Sequence, residues 1–239
     1  KAGTGIDPVG IVWHSTGANN PHLKRYVDAP ELVGVNPYGN HWNMPGISKM
    51  VHAFIGKDKN GDVAVIQTLP YNFAAWGLAK GSNGSYNYNP TAHIQFEICE
   101  DDLTDQAYFE AVYQAGVAYS AYLCQLLNLK PESICSHQEA HQRGYASNHK
   151  DPHHWFAKFG KTMDQVRQDV AYLLRPIMPG DIDEDGKVST TDARLALQAA
   201  VGKIRLTDRQ REAADIDKDG QVDVTDARQI LQKAVGKKK

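Results

Sequence analysis

Only three cysteines, Cys99, Cys124 and Cys135, occur in 239 residues. An odd number cannot close a disulfide framework, so they are read as buried thiols, the usual state of a free cysteine. No apolar run approaches the length of a bilayer span. Neither sign of charge prevails, since 26 Lys and Arg against 28 Asp and Glu leave a formal net charge of -2. That balance points to neither nucleic acid nor a membrane surface. The chain begins Lys1-Ala-Gly, without Met or a signal-like apolar segment, and is expected to be a mature or trimmed form.

What the sequence does contain is most distinctive at its C-terminus. Asp181-Ile-Asp-Glu-Asp-Gly-Lys-Val-Ser-Thr-Thr-Asp192 and Asp215-Ile-Asp-Lys-Asp-Gly-Gln-Val-Asp-Val-Thr-Asp226 are near-copies. Carboxylates at positions 1, 3, 5 and 12 with Gly at 6 wrap a hard, oxygen-seeking cation, calcium. Expected ligands are Asp181, Asp183, Asp185 and Asp192 for one ion, and Asp215, Asp217, Asp219, Asp223 and Asp226 for the other. Lys187 and Gln221 contribute backbone carbonyls. Millimolar calcium is an extracellular condition, so the protein is expected to be secreted. The apolar residues after each loop (Leu195, Leu197, Val201; Ile230, Leu231, Val235) form helices too short to bury their stripe alone, so calcium binding and folding are expected to be coupled. The chain therefore divides into residues 1–175, a linker at 176–180 and a calcium unit at 181–239, and is expected to be a monomer.

The first 175 residues suffice for one buried core. Gly10–His14, Met50–Ile55, Asp62–Gln67, His93–Ile98 and Ser133–Ser136 read as strands, with Asn60-Gly61 a hairpin turn. Helices are expected from about Thr104 to Leu127 and Thr162 to Leu174. Strands mixed with helices give an α/β fold, a mixed central sheet flanked by helices. Residues 19–45 and 77–90, rich in Gly, Asn and Pro, are expected to be long surface loops.

Ten histidines are present, and His137, His141, His149 and His153 crowd what reads as a polar loop after the last strand. A catalytic zinc needs three protein ligands and one open position. His14 and His137 end strands, and Asp151 follows in a loop stiffened by Pro152. His137 and His141, spaced i, i+4, chelate if helical. On residue chemistry alone, no choice among the histidines is forced.

Gly10-Ile-Val-Trp-His14-Ser-Thr-Gly resembles the first ligand strand of the type-2 zinc N-acetylmuramoyl-L-alanine amidases, the class that includes phage amidase-lysozymes and the peptidoglycan recognition proteins. The resemblance continues in Met50-Val-His-Ala-Phe-Ile-Gly56, Ala74-Ala-Trp-Gly77 and Ile94-Gln-Phe-Glu-Ile-Cys-Glu-Asp-Asp102. It ends in Cys135-Ser-His-Gln-Glu-Ala-His141 and Ala146-Ser-Asn-His-Lys-Asp-Pro-His-His-Trp155, stretches similar to endolysins and autolysins of anaerobic Gram-positive bacteria. It implies one zinc held by His14, His137 and Asp151, with Glu97 activating water. Where relatives carry an oxyanion-stabilising Lys, this chain has His149. Trp76, Asn87 and Tyr88 are candidates to line the groove for peptidoglycan, whose MurNAc–L-Ala amide is the implied scissile bond. The plainer readings make Glu97 a solvated strand residue, His141 a substitute ligand, His52 a core residue, and His153 and His154 surface residues beside a core Trp155.

The paired loop-helix repeats, an all-α unit, resemble a type I dockerin over Gly180–Gly236. The resemblance implies a cohesin as partner, on a scaffold or surface protein. Thr190, Thr191 and Gln198, or their counterparts Val224, Thr225 and Gln232, would meet it. Two rival readings of the whole chain stand beside the amidase: a module that grips muropeptide without cleaving it, and a zinc peptidase cutting within the stem peptide.

Overall fold

Five strands form one sheet in the computed structural model, which describes residues 4–42 and 44–236. β1 (Gly10–Ser15), β2 (Ala53–Lys57), β3 (Val63–Gln67), β4 (His93–Ile98) and β5 (Ile134–Ser136) lie in the order β3-β2-β4-β1-β5. All neighbours pair in parallel except β3, which folds back on β2. The fold is thus α/β with a mixed sheet. In the β2–β3 turn, Asp58 Oδ1 accepts from the backbone N–H of Asn60 at 2.7 Å, so this acid closes a hairpin.

Strand alternation gives the sheet two unlike faces. Ile11, Trp13, Ala53, Ile55, Ile94, Phe96, Ile98 and Ile134 face a dry core. Covering it are α2 (Gln106–Leu127) and α5 (Met163–Leu173); α1 (Pro30–Val33), α3 (His137–Gln142) and α4 (His153–Phe156) are short helices of the same unit. Asp105 caps α2 by accepting from Tyr108 N at 3.0 Å. Asn128, left-handed at φ 52°, ends it. Phe109, Val112, Tyr113 and Val117 form its buried stripe, each side chain contributing about 1.5–3 kcal/mol by burial. Gly116 admits the Trp13 indole, because a Cβ there would lie 2.3 Å from the ring.

The opposite face carries polar residues, His14, His52, Gln95 and Glu97, under loops instead of long helices. Two expectations about those loops change. Residues 19–45 are not simply surface chain, since Leu23, Tyr26, Val27 and Val33 bury against Phe54. Residues after β5 are not a polar loop but α3, started by a capping box between Ser136 and Glu139. Single-sequence periodicity misses so short a helix, whose stability comes from its cap and from Arg167 gripping Glu139 at 3.0 and 3.1 Å.

Contacts divide the chain into Lys1–Leu174 and Arg175–Lys239. In the second unit α6 (Thr190–Ala200), α7 (Asp208–Ala214) and α8 (Val224–Ala234) enclose Ile182, Ala193, Ala196, Ala214, Ala227 and Ile230. The helix α7, opened by a Thr207–Gln210 capping box, was not expected from the repeat. Nor does the whole apolar stripe face inward. Leu195 and Ile230 pack, whereas Leu197, Val201, Leu231 and Val235 are 43–64% exposed. Alanines at the contact leave no room for the larger side chains between the helices. Arg209 donates to the Arg175 carbonyl at 2.8 Å and Lys233 to that of Pro179 at 2.7 Å, so residues entering this unit are bonded into it. Among the described residues no helix is long and apolar enough to cross a membrane.

Candidate active site

Sheet register sets out the site. In the parallel pair β1–β4, His14 lies opposite Glu97, and in β1–β5 Trp13 lies opposite Ser136, so His137 begins α3 one position beyond. These are the carboxyl ends of parallel strands, where crevices form in α/β sheets. Asp151 arrives from a loop 137 residues after His14. A cleft of about 700 Å³ opens over the four, with Trp76, His149 and His154 also on its walls.

His14 Nδ1 is 3.1 Å from Asp151 Oδ2 and 3.1 Å from His137 Nδ1, and His137 Nδ1 is 3.3 Å from Asp151 Oδ1. Two imidazole nitrogens that face each other and one carboxylate form a donor triangle. Ligands about 2.0 Å from a tetrahedral zinc stand about 3.3 Å apart, so the triangle matches one face of that coordination shell. His14 and His137 are 1% and 4% exposed, which keeps competing water out. Burial lowers the pKa of His137, favouring the neutral form that ligates. Asp151 is held far below the usual carboxylate range; burial opposes this, but hydrogen bonds from His137 and His14 prevail. The residues therefore fit a divalent ion. His141 is elsewhere, its Nδ1 on the Ala146 carbonyl at 3.1 Å.

Glu97 shares the cleft, and its Oε2 is buried with no partner. Burial, then Asp151, then Glu100 push its carboxyl well above the ordinary value. His149 stacks on His137 with ring centroids 4.6 Å apart and is 62% exposed, its Nδ1 4.0 Å from Asp151. Trp76 separates the cleft from two further cavities of about 490 and 670 Å³, and Tyr88 lines both. Asn87 lines the larger of the two. It is 1% exposed, donates to the Leu78 carbonyl at 2.7 Å and accepts from Gln95 Nε2 at 2.8 Å, so it pins the loop to β4. Gly77 completes that pin, because a Cβ there would meet Gln95 Oε1 at 2.6 Å.

Sequence reading missed two residues here. Glu100, 2% exposed, accepts from Ser15 Oγ at 2.5 Å and lies 2.9 Å from His154 Nε2, within ion-pair range. An acid in the run Glu100-Asp-Asp102 after a strand reads as solvated, and only the fold reveals its burial. His153 is also tied, its Nε2 bonded to Ser136 Oγ at 2.7 Å, and is half-buried instead of the surface residue expected, whereas His154 is exposed as expected. His52 is a core residue, bonded to Gln95 N and to the Phe73 carbonyl, each at 2.9 Å.

In the second unit Asp181, Asp183 and Asp192 converge, as do Asp215, Asp217 and Asp226, with the donor atoms of each trio within 4.8 Å of one another. Asp181 Oδ1 is buried with no partner. Burial and neighbouring carboxylates push the carboxyls of Asp183 and Asp217 up. Gly186 and Gly220, at φ 88° and 89°, make the turn at position 6. Asp185 and Asp219 stand outside the trios and accept from Lys187 N and Gln221 N, each at 2.8 Å. Asp223 also stands outside its trio and N-caps α8, accepting from Thr225 N at 2.5 Å. Thr190 and Val224 are exposed, and Thr191, Gln198, Thr225 and Gln232 are half-buried.

A family model described as N-acetylmuramoyl-L-alanine amidase matches residues 4–154, and one described as dockerin type I domain matches residues 179–234. No curated protein sequence matches the chain. Among solved structures, PlyL is 21% identical with a TM-score of 0.50, the match covering 71% of this chain and 87% of that one. The Staphylococcus aureus hydrolase AmiA in complex with its ligand is 21% identical, TM-score 0.48, over 68% of this chain and 71% of that one. A mutant endolysin from Bacillus subtilis is 20% identical, TM-score 0.45, over 70% and 88%. At such identities the likeness to PlyL is one of fold.

Proposed function

This chain belongs to the N-acetylmuramoyl-L-alanine amidase family, and on that premise we propose a secreted, zinc-dependent hydrolase of the peptidoglycan amide between the MurNAc lactyl group and L-Ala. Its type I dockerin unit attaches it to a cohesin on a scaffold or surface protein. The observation that carries the zinc reading is the triangle of His14 Nδ1, His137 Nδ1 and the Asp151 carboxylate under an open cleft. These three residues hold the ion. When bound, zinc supplies a Lewis acid that polarises a carbonyl and brings the pKa of water to about 7.

The chain's own groups do the rest. Glu97 takes the proton of the attacking water and passes it to the leaving nitrogen, which departs only as a protonated amine. Its buried position, which raises its proton affinity, suits a group that must hold that proton between the two transfers. His149 offers a ring N–H to the carbonyl oxygen as negative charge grows there. Trp76 and Tyr88 border the groove. In the second unit each aspartate trio binds one calcium. Thr190 or Val224 with the outward Leu197 and Val201, or Leu231 and Val235, present a small apolar face to the cohesin.

Digestion of purified sacculi, with product analysis by mass spectrometry, tests the reading. Free stem peptides beginning at L-Ala beside unsubstituted glycan are expected, with release abolished by chelator and reduced at least about 100-fold by Glu97→Gln. Fragments cut inside the stem peptide would make the protein a peptidase. Binding of sacculi without release by the zinc-loaded protein would make it a recognition module.

A further inference from the structure

Glu100, Ser15, His153 and His154 lie outside the donor triangle, yet each is joined to a residue beside it. Asp151 is followed almost at once by α4, whose first two residues are His153 and His154. His153 Nε2 is hydrogen-bonded to Ser136 Oγ at 2.7 Å, and Ser136 immediately precedes His137. His154 Nε2 lies 2.9 Å from Glu100 Oε1, within ion-pair range. The same oxygen accepts from Ser15 Oγ at 2.5 Å, and Ser15 immediately follows His14. Glu100 N also donates to Thr16 Oγ1 at 3.1 Å, fixing the acid against the end of β1. From the helix that follows Asp151, one hydrogen bond therefore runs to the neighbour of His137, and an ion-pair contact to a buried carboxylate leads on to the neighbour of His14.

We propose that this bracket, His153 to Ser136 and His154 through Glu100 to Ser15, positions the three metal-site residues before an ion arrives. The donor chemistry balances. Ser136 Oγ accepts from Glu139 N at 3.0 Å and keeps its own proton available for His153 Nε2, while Ser15 gives its proton to Glu100, whose charge also faces His154. Asp151 sits on a loop without regular pairing of its own, in contrast to His14 on β1 and His137 on a capped helix. Of the three donors it has the most freedom to lose, and the bracket removes it in advance. A ligand set held by outer hydrogen bonds binds its ion more tightly because less ordering remains to be done. His154, partly exposed on the cleft wall, and Glu100, almost wholly buried, are positioning residues here.

The inference rests on the zinc reading of the triangle, and the test separates the two. Zinc affinity of the full-length, calcium-saturated protein is measured by chelator competition, alongside thermal unfolding of the zinc-free form. Glu100→Leu and His154→Ala are expected to weaken zinc about tenfold or more while leaving the zinc-free melting temperature within error. Glu100→Gln, whose Oε1 still accepts from both partners, is expected to stay within about threefold of wild type. Adding His154→Ala to Glu100→Leu is expected to weaken zinc little further, because Glu100→Leu has already removed the contact that His154 makes. His154→Ala, at a partly exposed position, keeps the test available if the buried Glu100→Leu does not fold. Wild-type affinity in His154→Ala, or a loss of affinity only in step with loss of zinc-free stability, overturns the bracket. A wild-type protein that takes up no zinc overturns the metal reading instead.

Discussion

Replacing Asp151 with Ala removes the sole carboxylate of the donor triangle and leaves His14 and His137 with nitrogens 3.1 Å apart. Zinc bound by four protein ligands is worth about 10–16 kcal/mol, so each ligand carries about 3–4 kcal/mol. Zinc affinity should therefore fall about 100- to 1000-fold. Asp151→Asn should fall by a similar factor, because an amide keeps the shape and one acceptor oxygen but not the charge. Metal content after dialysis, measured by mass spectrometry, and chelator competition give the affinity. Both must be done with calcium present, so that the aspartate trios of the second unit do not hold zinc. Circular dichroism of each variant establishes that the fold persists. Equimolar zinc retained by Asp151→Ala, with affinity within tenfold of wild type, would falsify the assignment of Asp151 and shift attention to His149, whose ring lies against His137.

Gly77→Ala should destabilise the protein by about 1–3 kcal/mol and lower activity, since its Cβ would meet Gln95 Oε1 at 2.6 Å and Val51 Cγ1 at 3.0 Å beside His14. Denaturant unfolding decides it, and a wild-type midpoint counts against the pin between the loop and β4. His52 and His93 are pushed by burial to about 4, below the value of 6.5 they regain on unfolding. Each contributes at most about 3 kcal/mol above pH 6.5, and that contribution is lost as pH falls from 6.5 to 4, where only the unfolded chain takes up the proton. Unfolding free energies at pH 7 and pH 5 should show it, and His52→Gln should have the shallower slope; identical slopes refute the linkage. Calcium should raise one of two thermal transitions of the full chain, that of the second unit, while Asp181→Asn with Asp215→Asn abolishes the rise. A calcium-independent melt would remove the ion from both trios.

Much of this protein is local chemistry, and local chemistry is legible in sequence. The aspartate loops follow from acids at fixed spacing and a glycine able to reach positive φ, as Gly186 and Gly220 do. The β2–β3 hairpin follows from Asn60-Gly61, and α2 from its capping acid and apolar period. Family resemblance supplied the choice among ten histidines that residue chemistry left open. Where expectation failed, contact between distant segments decided. His153 was expected at the surface until Ser136 engaged its ring. Residues 19–45 were expected as surface loop until Leu23 and Tyr26 buried against Phe54. The outward Leu197 and Leu231 share their helical period with a buried stripe, and only the close alanine contact turned them out.

By itself the sequence determined the elements, the two loops and the residue types from which a metal site could be drawn. The order β3-β2-β4-β1-β5 was decided only in three dimensions. That order sets His14 beside Glu97, brings His137 to the neighbouring strand end, and buries Glu100 between Ser15 and His154. The physical reason is range. Caps, turns and strand alternation act over a few residues and leave a periodic trace, whereas the bonds that build the site join positions 85, 123 and 137 residues apart and leave none.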